Sequence, residues 1–295
     1  SNTPSLAYWI SDAFNAATWQ FASSIIAVGL TYREAIAIVA ISFFIISFVI
    51  AGNGAIGATY HVPFPVIARA SWGFWGSYIA IISRLILAVF WFAVQNVNGG
   101  NSIRVMIGAI WPSYLELGND IPTSQGITTN GMVAFLIFWI LQFPFLCMHP
   151  NKLRWLFTIK SVVVPIAWIA ILIWAFVAEK SGGGIFDQQT ATVSGSKRSW
   201  LFLANMTSVL GNYAPLSVNQ VIIPHIQELS SPKFMHILLL QSDFSRYSRI
   251  NPRWQLLYIP MLPIIFTFIS FIGIAASSAG QAHYNLATIP WDPNE

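Results

Sequence analysis

The chain has 295 residues, 56% of them hydrophobic and only 8% charged, with a formal net charge of +4. An ordinary soluble domain carries roughly 25% charged residues, so a soluble globular fold is excluded. The Lys and Arg residues are spread over separate loops, which removes a nucleic-acid-binding reading. The single cysteine, Cys147, lies in an apolar run and is expected to be inert packing, leaving neither a disulfide framework nor a thiolate metal site.

Crossing roughly 30 Å of hydrocarbon takes about 20 helical residues. The sequence predicts spans at Leu6–Leu30, Glu34–Ala51, Ser77–Ile107, Gly131–Met148, Val162–Ala178, Leu201–Val218 and Leu256–Ala276. Stretches rich in Gly, Pro and Ser separate them, notably 111–130 and 179–199, and no soluble domain fits between. The whole of 1–295 therefore reads as one transmembrane domain, an all-α polytopic membrane protein. The opening at Ser1 shows no basic n-region or cleavage pattern, so the first hydrophobic segment is expected to be a true span, and the chain to begin and end inside a longer protein.

Short cytoplasmic loops carry an excess of Lys and Arg. The loops after the second, fourth and sixth predicted spans hold Arg69, then Lys152, Arg154 and Lys160, then Arg246, Arg249 and Arg253. In the opposite loops, basic residues are offset by Glu34, Glu116, Asp120, Glu179 and Asp187. That asymmetry places the start of the first span in the cytoplasm.

Polar groups inside the spans carry the functional signal, because unpaired backbone in a membrane is tolerated only beside a cavity or within protein. The first span holds Ser11, Asp12 and Asn15 among apolar residues, and the sixth holds Gly211-Asn212-Tyr213-Ala214-Pro215, where Pro215 removes a backbone donor. Paired interruptions in spans one and six are what an inverted repeat of five helices places at the bilayer midplane; an ordinary kink in each is the alternative. In the third span Trp91 and Gln95 share one helix face. An indole and a carboxamide suit a planar ring with ureide or lactam edges, and interhelical packing of both side chains is the competing reading. The histidines do not combine with carboxylates into a ligand set or catalytic group, which argues against an enzyme and against a metal site.

The run from Ile56 to Gly73, Ile-Gly-Ala-Thr-Tyr-His-Val-Pro-Phe-Pro-Val-Ile-Ala-Arg-Ala-Ser-Trp-Gly, resembles a signature of the nucleobase:cation symporter-1 family. Trp91-Phe92-Ala93-Val94-Gln95, Ile110-Trp111-Pro112-Ser113, the Tyr8–Asn15 stretch and Gly211-Asn212-Tyr213-Ala214 extend the likeness, which is similar to the fungal uracil, allantoin and uridine permease branch. The resemblance implies a LeuT-like fold of twelve spans, truncated here after about seven. It implies a plasma-membrane secondary transporter of a nucleobase or related planar compound such as uracil, allantoin, uric acid or uridine, with no cofactor beyond the coupling cation.

By the same resemblance, Trp91 stacks on the substrate ring and Gln95 bonds its polar edge, with Asn15, Asn212 and Tyr213 beside the ligand. In sodium-coupled relatives, backbone carbonyls at the positions of Ser11 and Phe14 hold the ion. The fungal branch is taken to use protons, and Asp12, which replaces an apolar residue of bacterial relatives, is the intramembrane carboxylate available for coupling, a satisfied structural group near the cytoplasmic interface being the alternative.

Two departures stand out. The family's Asn-Gln and Asp-Phe-Ser-Arg-Tyr elements are separated here by the surplus Val221–Gln241, which begins with a residue whose codons start GT and ends with one whose CAG codon ends AG. That pattern is expected of an in-frame retained intron, with a genuine loop insertion as the competing reading. The chain also stops at Glu295, before the eighth span that completes the family's site. The alternatives to transport are therefore a nontransporting receptor and a nonfunctional, truncated or mis-spliced product.

Overall fold

The computed structural model describes residues 13–60, 64–148, 150–178, 193–219, 252–284, 286, 289, 290 and 292. Ser11, Asp12 and the surplus 221–241 lie outside the described residues. The first helix boundary is set by Asn15, whose extended backbone (φ −138°, ψ 160°) cannot continue a helix and whose side chain accepts from the Thr18 N–H. Helix α1 (Ala16–Ala27) begins there, while Ala13 is helical and Phe14 is not. The predicted interruption of the first span is thus present, at Phe14–Asn15.

Gly29, at φ 98°, turns the chain into α2 (Tyr32–Tyr60). The helix opens on a reciprocal cap: Glu34 Oε2 accepts from the Thr31 N–H at 3.0 Å, and Thr31 Oγ1 accepts from the Glu34 N–H at 3.3 Å. Helix α3 (Phe64–Ile110) breaks stride once, at Gly73 (φ 73°, ψ 178°). Its nine residues before that glycine form an arm that the prediction, starting at Ser77, assigned to a loop.

Helix α4 (Thr129–Leu146) starts at Thr128, which caps Gly131 N–H at 3.3 Å, and ends before Cys147. Cys147 is exposed at that end, which corrects its placement as packing inside a span. Helix α5 (Pro150–Ala178) starts well before the expected Val162, because Lys and Arg mark a membrane edge without stopping a helix. Helix α6 (Gly195–Asn219) runs unbroken through Gly211–Pro215, so the predicted interruption of the sixth span is absent. Losing one backbone donor is tolerated there as it is at Pro144, Pro165 and Pro263 inside α4, α5 and α7. Helix α7 (Tyr258–Tyr284) follows a short 3-10 segment at Pro252–Leu257.

These seven helices account for the regular structure among the described residues, together with short 3-10 turns and no strand. Five carry segments long and apolar enough to cross a membrane: Tyr32–Ile56, Ala68–Ile110, Thr129–Leu146, Thr158–Val177 and Tyr258–Tyr284. The exceptions are α1, with 12 residues, and α6, which carries Lys197, Arg198, Asn205 and Asn212.

The core lies where α7 is wrapped by α1, α2 and α5, and α6 closes on α2. From Ile269 to Gly280 α7 is buried at every residue except Phe271, as a helix apolar on all sides should be. Close approach is permitted by Gly273, where a Cβ would lie 3.1 Å from the Trp19 Cα. Helices α3 and α4 pair mainly with each other, α3 also touching α6 and α1; at Gly100 a Cβ would meet the Phe135 Cα at 2.9 Å.

Candidate functional site between spans one, three and six

The break in span one is tied to α6 through one side chain. Asn15 Oδ1 accepts from the Thr18 N–H at 2.9 Å and from the Thr18 hydroxyl at 3.4 Å, and Thr18 Oγ1 lies 2.7 Å from Tyr213 Oη. Thr18 and Tyr213 are buried, at 1% and 5% exposure. The Tyr213 ring is held by Phe43, Phe266 and Phe21, with centroids at 4.6, 5.0 and 6.0 Å. Of the sequence-predicted site residues, Asn15 and Tyr213 are therefore brought together.

Beside them, Phe14 packs edge-on against Trp168 of α5 at 5.7 Å, and Trp19 meets the same indole at 5.5 Å. The Trp19 Nε1–H donates to Ser277 Oγ at 3.1 Å, and that hydroxyl donates to Ser23 Oγ at 2.9 Å, so α1 is also pinned to α7. Asn212 is half-buried, and its carboxamide N–H returns to the Ser208 carbonyl of its own helix at 2.9 Å.

The α3 residues stand apart from that cluster. Trp91 is half-buried beside Phe90, with centroids at 6.1 Å, and Gln95 is exposed. Asn98 continues their face, and its Oδ1 accepts from Gln20 Nε2 of α1 at 3.5 Å. Seven residues before Trp91, on that same face, lies the half-buried Arg84.

Sequence reading passed over Thr18, Ser277 and Arg84. A cation inside a predicted span is signal enough to single out Arg84. A Thr or Ser in a span is too ordinary to single out without its partner. Among the described residues no group of His, Cys, Asp and Glu is placed to hold a metal ion.

Five helices of membrane length define a multi-pass membrane protein. Residues 4–221 match the family described as permeases for cytosine/purines, uracil, thiamine and allantoin, and the chain belongs to that family. An uncharacterised permease of Schizosaccharomyces pombe is 32% identical over 95% of this chain and 43% of its own length. The allantoin permease of Saccharomyces cerevisiae is 31% identical over 98% of the chain and 42% of the relative, and the uracil permease of the same yeast 29% over 97% and 42%. The chain thus spans less than half the length of these relatives. No solved structure matches it.

Proposed function

We propose that the chain is part of a secondary active transporter that carries a planar nucleobase or ureide together with a cation, by rocking of two helical bodies around a midplane site. The relatives named for allantoin, uracil and uridine support that substrate class. The observation that carries the site is the Gln20–Asn98 bond. Consecutive spans alternate in direction, so α1 and α3 run the same way. From that bond, the start of α1 at Ala16 lies about 6 Å down the helix with Asn15 just beyond it, between the levels of Gln95 and Trp91 at about 4.5 and 10.5 Å down α3.

On this reading Trp91 supplies the stacking face and the exposed Gln95 the hydrogen-bonding edge. Asn15 closes the site from the break in span one, and Asn212 with Tyr213 bounds it from α6. Proton coupling runs through Asp12, with Ser11 and Phe14 as the backbone positions of a vestigial cation site. The protein works in the plasma membrane with the start of span one in the cytoplasm, in keeping with the distribution of basic loops.

We further propose that 221–241 is a retained intron; the family match ends at residue 221, where the surplus begins. The test is uptake of radiolabelled uracil by the full-length gene product, spliced with and without 221–241, at imposed pH gradients. Uridine, allantoin and uric acid serve as competitors. Saturable uptake that rises with inward proton gradient and is lost when 221–241 is retained is the expected result. Uptake of none of the four compounds by the spliced protein would remove the transport reading.

A further inference from the structure

We propose that Thr18 is a positioning residue: its hydroxyl holds the Asn15 carboxamide and the Tyr213 hydroxyl in one hydrogen-bonded line, so that the break in span one is oriented by α6. This rests on the proposed midplane site, to which it adds a residue that touches no substrate. The direction of the line follows from its protons. A carboxamide oxygen has none to give, so in the 3.4 Å contact the Thr18 hydroxyl donates to Asn15 Oδ1. The single Thr18 hydrogen is then spent, and the 2.7 Å contact requires the Tyr213 O–H to donate to Thr18 Oγ1.

Two consequences follow. With Oδ1 held by both the N–H and the hydroxyl of Thr18, the Asn15 carboxamide keeps one of its two possible orientations. The second consequence concerns α6. The Tyr213 ring is wedged among Phe21, Phe43 and Phe266 of α1, α2 and α7, so its hydroxyl has a fixed position from which to hold Thr18. A displacement of α6 past α1 must break the line or carry Asn15 with it.

The experiment compares Thr18→Val, Thr18→Ser, Tyr213→Phe and the Val/Phe double variant in the full-length gene product. Uptake KM, maximal uptake per surface molecule and the melting temperature in detergent are read for each. Thr18→Val is expected to raise KM about tenfold, as for loss of one well-placed buried hydrogen bond. Thr18→Ser, which keeps the hydroxyl, stays within about twofold of the parent. The double variant is expected to be no worse than Thr18→Val in KM or melting temperature, because both substitutions cut the same line. Independent, multiplicative effects, or a Thr18→Val protein with parental KM, overturn the proposal. If the parent takes up no panel compound, the transport reading fails, while additive shifts in melting temperature would separately refute the line.

Discussion

Helices α2 and α7 of the central body and the pair α3/α4 are all apolar enough to cross a membrane, yet they bury that apolar surface differently. Half of the residues in the apolar windows of α2 and α7 are buried inside the chain, against 6% in those of α3 and α4. Small residues explain the first figure: Gly273 and Ser277 let α7 come against the Trp19 backbone and side chain, and aromatic rings fill the remaining space around Tyr213. Large side chains explain the second, since α3 turns Trp75, Ile79 and Ile86 outward at 81%, 64% and 65% exposure. Lipid tails solvate such groups as well as a protein core does. The lesson is that hydropathy marks what enters the membrane, while the placement of small residues decides which spans pack into one body.

The sharpest way to break that comparison is Tyr213→Ala. The ring is 5% exposed among three other aromatics, so truncation leaves a cavity where four helices meet. A cost of about 3–5 kcal/mol is expected from large-to-Ala core substitutions, read as a lowered melting temperature and loss of surface protein. A stable Tyr213→Ala protein that lost only substrate affinity would show that the ring belongs to the site rather than to the core.

Next in size is Gly273→Val. The added Cβ meets the Trp19 Cα at 3.1 Å and its carbonyl oxygen at 3.3 Å, and the γ-methyl groups have less room still. Forcing α1 off α7 should cost about 1–3 kcal/mol and stretch the Trp19–Ser277 bond. The equivalent test in the pair separates two kinds of crowding: at Gly99 the obstacle is the Phe138 ring, which can swing away, and at Gly100 it is the Phe135 backbone, which cannot.

How far the sequence could be read follows the same division. Apolar runs reveal the five helices whose length and composition suffice to cross a membrane, and Asn15 betrays the break in the first span because a short polar side chain in a span must cap or bind something. The continuity of α6 is hidden, since a proline predicts a lost bond and says nothing about whether packing against α2 holds the helix straight. Thr18 is hidden for a different reason: its importance lies in Tyr213, 195 residues away. The arm of α3 before Gly73 reads as loop because its Pro63-Phe64-Pro65 opening looks like a turn, whereas Pro65 falls within the first turn of a helix, where no backbone donor is needed.

Trp91→Ala addresses the lightly packed side. Half-buried beside Phe90, Trp91 contributes little to the fold, so the expected change in stability is about 0.5 kcal/mol or less. Stacking on a planar ring contributes on the order of 1 kcal/mol beyond burial, and affinity for the transported compound should fall about tenfold, with Trp91→Phe keeping part of it. Equal loss of surface delivery in both variants would make Trp91 a packing residue and bring α3 into line with the body.

The smallest effect is expected where the body looks most tightly fastened. Arg198 Nε donates to Glu34 Oε1 at 2.7 Å, joining the starts of α6 and α2, with side-chain exposures of 45% and 19%. An ion pair that open to water is worth about 0–1 kcal/mol, and its distance alone is no argument for more. Glu34→Gln separates the charge from the cap, since a glutamine can still bond the Thr31 N–H and hydroxyl that Glu34 Oε2 now holds. The variant should melt within a few degrees of the parent at low salt, and the difference should shrink at about 1 M salt, where charges are screened within roughly 3 Å. A loss comparable to that of Gly273→Val, insensitive to salt, would mean that the ends of α2 and α6 are held together by this pair. Packing along Phe43, Met206 and Tyr213 would then no longer account for the coherence of the body.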